Sequence, residues 1–109
     1  MTDGRHHLKF DEAEWESPIP GMRQKVLRRD GLRVRLVEYT GEMEPHWCER
    51  GHAGYIIEGM LETEFDDGIE ILTAGDGVLI PEGAEHRHRA RVLTGLVRAL
   101  FVERDPPAQ

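Results

Sequence analysis

Residues 41–59 read GEMEPHWCERGHAGYIIEG, and the interpretation of the chain starts from this stretch. Three potential metal ligands, His46, Cys48 and His52, fall within seven residues, just ahead of the apolar run Tyr55–Ile57. Successive side chains of a β-strand point to opposite faces, so an extended backbone would place His46 and Cys48 on the same face. The stretch therefore indicates a metal site beside a β-strand.

A second stretch, residues 75–88, reads GDGVLIPEGAEHRH and adds His86 and His88. These two histidines are two residues apart, so a strand would turn both to one face. His88 is then predicted to act as a general acid or base, or as a hydrogen-bond partner near the metal. A histidine whose hydrogen bonds are satisfied deeper in the barrel is the alternative for His88.

Length and composition limit the class of protein. The 109 residues fit one domain, and a formal net charge of -7 argues against general binding to nucleic acid or to an anionic membrane. No apolar run approaches the ~20 residues of a membrane helix, and the N-terminus lacks an apolar signal-peptide core. A single cysteine excludes an internal disulfide and suits a reducing compartment. We therefore expect a cytoplasmic protein.

From Lys25 onward, short β-like segments alternate with turns. Leu32 to Tyr39 alternates between apolar and polar residues, and Asp66-Asp67-Gly68 indicates a hairpin. The pattern predicts about eight short strands and no long helix. An all-β fold in a single domain, a closed antiparallel barrel or jelly roll, is therefore expected.

The two ends of the chain are predicted to differ from the barrel. Residues 1–24 are expected to form an extension packed on the barrel, with one helical turn in Phe10–Glu16 that Pro18 and Pro20 stop. The barrel is assigned to residues 25–103 and a frayed tail to residues 104–109.

These features resemble the cupin superfamily, small β-barrels built on two motifs. The first motif runs Gly, five residues, His-x-His, three or four residues, Glu, six residues, Gly. His46 stands at the first ligand position, Cys48 replaces the second histidine, His52 replaces the glutamate, and Gly59 follows in register.

The second motif runs Gly, five residues, Pro-x-Gly, two residues, His, three residues, Asn. Gly75, Pro81, Gly83 and His86 match it in register, and Ala90 replaces the asparagine. The resemblance implies a double-stranded β-helix with a metal near its wide mouth, often in a homodimer. The family includes many enzymes, sensors and storage proteins, so the fold does not fix the function.

The ligand set that the resemblance implies is three imidazoles and one anion, namely His46, His52, His86 and the thiolate of Cys48. Such ligands favour one divalent transition metal per chain, zinc or iron first, with manganese, nickel or copper as alternatives. The competing interpretation is that the histidines are satisfied by hydrogen bonds and that Cys48 is a small buried filler.

Two classes of function follow from this site. The first is a metal-dependent enzyme, oxygenase-like or isomerase-like, acting on a small polar molecule. The second is a non-catalytic module that binds or senses a small molecule and holds a structural metal. A homodimer is expected as well, since open sheet edges need cover and the parity of Trp47 turns it away from the ligands.

A row of arginines, Arg87, Arg89 and Arg91, is predicted to face away from His86 and His88. Such a row can recognise an anion. Pairing across the strands with acids such as Glu62 and Glu64 is the preferred explanation.

Overall fold

The computed structural model describes residues 6–105, and most of them lie in two antiparallel β-sheets. The nine strands of this part of the chain are β1 (Glu16–Ile19), β2 (Met22–Arg29), β3 (Leu32–Thr40), β4 (His52–Glu58), β5 (Met60–Phe65), β6 (Gly68–Thr73), β7 (Gly77–Ile80), β8 (His88–Val92) and β9 (Leu96–Arg104). Two short 3-10 turns, Phe10–Glu12 and Ala84–His86, are the helical elements among these residues. None of the helices in residues 6–105 has the length and apolar character needed to cross a membrane.

The larger sheet has the strand order β1-β2-β3-β9-β4-β7, and the smaller one has the order β6-β5-β8. Strands β3 and β9 pair over their full lengths, from Leu32 opposite Arg104 to Thr40 opposite Leu96. Every pairing is antiparallel, and the hairpin predicted around Asp66-Asp67-Gly68 joins β5 to β6. The predicted all-β fold, a single-domain jelly-roll barrel, is confirmed.

The alternation of side chains along β9 shows how the sequence separates core from surface. Val97, Ala99 and Phe101 are buried, and Ala99 and Phe101 pack with Val37 of β3 in the core. Glu103 continues this inward series and is buried at the end of the strand. A buried carboxylate is costly unless it is hydrogen-bonded and paired, so β9 brings a group that requires partners into the barrel.

The larger sheet begins earlier in the chain than the predicted barrel boundary at residue 25. Strand β2 starts at Met22, and β1 pairs with it through Glu16 opposite Gln24. The turn between these strands needs glycine at position 21, because Gly21 has φ +78° and a Cβ there would meet the backbone nitrogen of Met43. Residues assigned to an extension therefore supply an edge strand of the sheet.

The segment before β1 contacts the outer face of β2. The 3-10 turn Phe10–Glu12 occupies part of the predicted helical turn, and Lys25 Nζ donates to the Phe10 carbonyl oxygen at 2.8 Å. The guanidinium of Arg23 lies 3.9 Å from the centre of the Trp15 ring. At the other end β9 extends to Arg104, and residues 106–109 of the predicted tail lie outside the described residues.

The arginines of β8 pair across the sheet as preferred in the sequence analysis. Arg89 lies opposite Glu64, with Nε 2.8 Å from Oε1, and Arg91 lies opposite Glu62 at 3.6 Å. The predicted cross-strand ion pairs are therefore present. Arg87 precedes β8 and pairs with Asp66 at 2.9 Å.

Candidate functional site

Cys48, His52 and His88 form a cluster in which one potential ligand atom from each lies within 4.8 Å of the others. His52 is the first residue of β4 in the larger sheet, and His88 is the first residue of β8 in the smaller sheet. Cys48 lies in the connection between β3 and β4. The cluster therefore joins the two sheets at the beginnings of two strands.

A backbone pair fixes Cys48 beside His88. The Cys48 amide donates to the His88 carbonyl at 2.8 Å, and the His88 amide donates to the Cys48 carbonyl at 2.9 Å. Side chains of directly opposed residues in such an antiparallel pair lie on the same side. This single bridge brings the thiol to the imidazole although residues 41–51 form no regular strand.

The histidines make the thiol acidic. Hydrogen bonds with His52 and His88 lower the pKa of Cys48 to about 5, although burial acts in the opposite direction. Burial lowers the pKa of His52, but its hydrogen bonds to Cys48 and Glu103 outweigh burial and raise that pKa. Cys48 is therefore a thiolate at neutral pH, which is the form that binds metals.

Glu103 is a buried residue in contact with the cluster that was not predicted from the sequence. Its side chain is 0% exposed, and its Oε2 lies 2.5 Å from His52 Nδ1. Burial alone would raise the pKa of this carboxyl, but the hydrogen bond from His52 and the charges of Arg35 and Arg33 lower it to about 2. An ionised carboxylate on Nδ1 orients the imidazole and leaves Nε2 as the atom available to a metal.

Of the predicted ligands, Cys48 and His52 belong to the cluster, whereas His46 and His86 do not. His46 is exposed and lines the cavity above the cluster, with Nδ1 3.3 Å from the Glu44 carbonyl oxygen. His86 lines a different cavity of about 340 Å³, together with residues such as Thr63, Phe65, Glu70 and Leu72. The ligand roles of His46 and His86 stay predictions, as does a catalytic role for His88.

The expectation that His86 and His88 share a face assumed one continuous strand, which the structure does not have at these residues. His86 ends the 3-10 turn Ala84–His86, whereas His88 begins β8, so strand alternation does not extend back to His86. His88 is buried against the cluster, and its Nδ1 donates to the His86 carbonyl oxygen at 3.1 Å. Its other ring nitrogen, Nε2, thereby remains available to the cluster.

A cavity of about 190 Å³ opens above Cys48, His52 and His88. Its remaining lining comes from residues of the larger sheet, the β3–β4 connection and β8: Met22, Arg33, Arg35, Tyr39, Met43, His46, Arg50, Arg89 and Ala90. The cluster thus lies at the wall of a space that admits a small molecule.

The donor set fits a divalent transition metal. A thiolate with two imidazoles suits zinc or iron better than magnesium or calcium, which prefer oxygen ligands. Ligand atoms around a tetrahedral zinc are roughly 3.5 Å apart, and the three atoms of the cluster lie within 4.8 Å of one another, a spacing of similar size. Three protein ligands would leave at least one coordination position of such a metal unfilled.

Comparison with known proteins gives a family match over most of the barrel. The model of the cupin domain family, Cupin_2, matches residues 33–103. The protein YdbB of Bacillus subtilis (strain 168) is 38% identical over 63 residues, which are 56% of this chain and 56% of YdbB. The match therefore spans little more than half the length of that relative.

Solved structures share the fold over nearly the whole chain. KdgF from Halomonas sp. is 29% identical, with a TM-score of 0.67 and coverage of 87% of this chain and 92% of its own. A sugar phosphate isomerase of the cupin superfamily from Silicibacter pomeroyi is 22% identical, with a TM-score of 0.73 and coverage of 93% and 76%. At that identity the second likeness shows the fold alone. Since the family model covers more than half of a chain with this two-sheet barrel, the protein belongs to the cupin domain family.

Proposed function

We propose that this cupin is a metal-dependent enzyme, oxygenase-like or isomerase-like, that acts on a small polar molecule. The observation that supports the proposal is the convergence of Cys48, His52 and His88 on the wall of a cavity. The metal would be zinc or iron, with manganese, nickel or copper as alternatives. When bound, such a metal polarises a substrate oxygen or activates dioxygen.

The chain's own residues prepare the site for this chemistry. The Cys48 thiolate supplies negative charge. Glu103 holds the His52 ring in one orientation through its contact with Nδ1. The cavity of about 190 Å³ leaves room for a small substrate beside the cluster. The Silicibacter pomeroyi cupin of the same fold is named a sugar phosphate isomerase, which makes an isomerase-like reaction one of the two proposed here.

His88 has two alternative proposed roles, metal ligand and general acid or base, and it cannot fill both at once. Its place in the cluster favours a metal ligand, whereas its position in the sequence predicted a general acid or base, or a hydrogen-bond partner, near the metal. Loss of His88 would reduce metal affinity in the first case. In the second case it would leave metal affinity unchanged and reduce turnover alone.

A non-catalytic binding or sensing module is the second candidate function. The observation that favours it is His46, which lines the same cavity as the cluster. If the exposed His46 side chain turned inward as a fourth protein ligand, the coordination would be closed and the metal structural. A count of metal-bound water in a crystal structure separates the two functions, because an enzyme keeps an open position.

Metal analysis of protein purified without a histidine tag tests the proposed function. We expect about one transition metal per chain in the parent protein and a clear loss in Cys48→Ala, which removes the anionic ligand. The variant removes one sulfur atom, so the barrel should stay folded, as circular dichroism would verify. Parent protein that contains no stoichiometric metal and takes up none on reconstitution would contradict the proposal.

We also propose that two copies of the chain pair through the outer face of the larger sheet. Leu79 and Tyr55 are 82% and 51% exposed on the neighbouring strands β7 and β4. The register aligns Leu79 with Ala53 and Val102, and Tyr55 with Leu100, so apolar side chains from three strands form one surface. An exposed apolar surface of this kind favours association.

Trp47 was the residue expected to supply that contact. It is 38% exposed, and the guanidiniums of Arg87 and Arg89 lie 4.4 and 4.7 Å from its ring centres. These cation–π contacts hold Trp47 against its own chain, so we propose the sheet face for the dimer contact instead. A cytoplasmic location is proposed as well, because a reducing compartment keeps Cys48 available to a metal.

A further inference from the structure

The cavity above the cluster has a charge opposite to that of the whole chain. The chain carries 21 acidic residues against 14 lysines and arginines, for a net charge of -7. Within residues 6–105, the cavity is nevertheless lined by four arginines and by no aspartate or glutamate. The thiolate of Cys48 also lines the cavity, and the four guanidiniums still outnumber it together with the acids that pair with them, Glu103 and Glu64. The remaining positive charge favours a negatively charged ligand.

Three of these four arginines already have acidic partners. Arg33 Nε and Arg35 Nε lie 2.5 and 2.8 Å from Oε1 of Glu103, and Arg89 pairs with Glu64 at 2.8 Å. The single carboxylate of Glu103 is the acidic partner of both Arg33 and Arg35 and also contacts His52. The acids that surround the cavity therefore do not neutralise all of its arginines.

Arg50 is the cavity arginine for which residues 6–105 offer no acidic partner. Its NH1 group donates to the Arg104 carbonyl oxygen at 3.4 Å, a long hydrogen bond that leaves other N–H groups of the guanidinium for a ligand. The loop that carries Arg50 is anchored on both sides. The Gly51 amide donates to Glu82 Oε1 at 2.8 Å, and the Gly83 amide donates to the Glu49 carbonyl at 3.0 Å.

We propose that this cavity binds a small organic carboxylate and that Arg50 holds its carboxylate group. The inference rests on the proposed function only in that the other end of the ligand faces Cys48, His52 and His88. A planar guanidinium matches the two oxygens of a carboxylate and forms charge-assisted hydrogen bonds with them. Arg50 is the specificity-determining residue in this arrangement.

Charge and size select a small monocarboxylate over larger or more highly charged ligands. One guanidinium without an acidic partner matches one negative charge, whereas a phosphate group carries about 1.5 to 2 at neutral pH. The cavity volume of about 190 Å³ is below the roughly 300–1,000 Å³ of pockets for drug-sized ligands. The substrate class inferred is therefore a small organic acid.

Calorimetric titration with acetate, pyruvate, pyruvamide and inorganic phosphate tests this inference. The proteins compared are the parent, Arg50→Gln, and the matched control Arg91→Gln, which removes an arginine whose side chain is 66% exposed and lies outside the cavity. We expect a carboxylate to bind the parent and the control equally. Arg50→Gln should weaken that binding about ten- to a hundredfold, the value of a hydrogen bond between charged groups.

Three results would overturn the inference. The first is that neither acetate nor pyruvate binds the parent protein at millimolar concentration. The second is that the parent binds pyruvate and neutral pyruvamide with equal affinity. The third is that Arg50→Gln binds the carboxylates with the affinity of the parent. Tighter binding of phosphate than of either carboxylate would overturn the choice of ligand class.

Metal content measured on the same samples separates this inference from the proposed function. Metal-containing protein in which Arg50→Gln has no effect would overturn the carboxylate site and leave the metal site in place. Metal-free protein that binds a carboxylate through Arg50 would support the carboxylate site and contradict the proposed enzyme.

Discussion

Glu103 links the positive side of the cavity to the ligand cluster. Its carboxylate contacts Arg33 and Arg35 and accepts a hydrogen bond from His52, and its side chain is fully buried. The free energy of such a buried group depends on all of its partners at once, since removal of one partner leaves a charge without compensation. Glu103 is therefore expected to affect both the stability of the barrel and the affinity for metal.

Glu103→Gln tests this role while keeping the shape of the side chain. We expect metal affinity to fall about ten- to a hundredfold, because the amide no longer holds the His52 ring as a carboxylate does. We also expect metal-free protein to lose about 3–5 kcal/mol of unfolding free energy, because Arg33 and Arg35 lose their charged partner. Metal titration and chemical denaturation measure the two effects.

The matched control for that variant is Glu58→Gln, which removes an ion pair with Arg98 from a carboxylate that is 53% exposed. It should change stability by less than about 1 kcal/mol and leave metal affinity unchanged. If Glu103→Gln had the metal affinity of this control, Glu103 would have no part in positioning His52.

At the scale of the elements, the 3-10 turn Ala84–His86 decides which histidine joins the cluster. It separates His86 from strand β8, so His88 is the residue that pairs with Cys48 and lies beside His52. We expect His88→Ala to lose metal affinity by at least about tenfold, the loss associated with a ligand or its partner. His86→Ala, the matched control from the same segment, should bind metal as the parent does.

Metal titration of these two histidine variants has a clear contrary outcome. If His86→Ala lost the metal and His88→Ala kept it, the ligand set implied by the cupin motif would be correct. The segment before β8 would then have to rearrange on binding.

The same turn shows where prediction from the sequence was sufficient and where it was not. Local patterns predicted the strands, the Asp66–Gly68 hairpin and the pairs of Arg89 and Arg91, because alternation and turn residues act over a few positions. Strand parity does not apply at His86, since a 3-10 turn that no strong signal marks lies between Gly83 and β8.

Glu103 was missed for a different reason. It is 51 residues from His52, and a strand that ends in an acid usually exposes it. Its inward parity with Val97, Ala99 and Phe101 was the one available signal. A long-range pair of this kind is determined by strand order, which a single sequence does not give.

At the scale of the whole molecule, Glu38 connects the central strands on the outer face of the larger sheet. Its carboxylate lies 2.7 Å from Arg23 on β2 and 2.7 Å from Arg98 on β9. Burial alone would raise the pKa of Glu38, but the hydrogen bonds from Arg98 and Arg23 lower it below its usual 4.5.

The lowered pKa of Glu38 predicts how stability depends on pH. A carboxyl group with a lower pKa in the folded state stabilises the protein above its unfolded pKa of 4.5, and this contribution is lost as the pH falls below that value. We expect the unfolding free energy of metal-free protein to fall in this range, and to fall less steeply in Glu38→Gln. Denaturation curves from neutral to acid pH that were parallel for both proteins would contradict this expectation.

The proposed dimer is also a property of the whole molecule. Sedimentation at micromolar concentration should give the mass of two chains for the parent and of one chain for Leu79→Glu, because a charge in the apolar contact is not compensated. Ile69→Glu is the matched control, since Ile69 is an exposed apolar residue, 58% accessible, on the smaller sheet. It should stay dimeric, and a monomeric parent protein would exclude the pairing.

X-ray absorption spectroscopy of the metal-loaded protein tests most directly that Cys48, His52 and His88 hold a metal. For zinc, we expect one sulfur atom at about 2.3 Å and imidazole nitrogens at about 2.0–2.1 Å from the metal. The sulfur contribution should disappear in Cys48→Ala. A spectrum of the parent protein with only nitrogen and oxygen neighbours would contradict the thiolate–imidazole site.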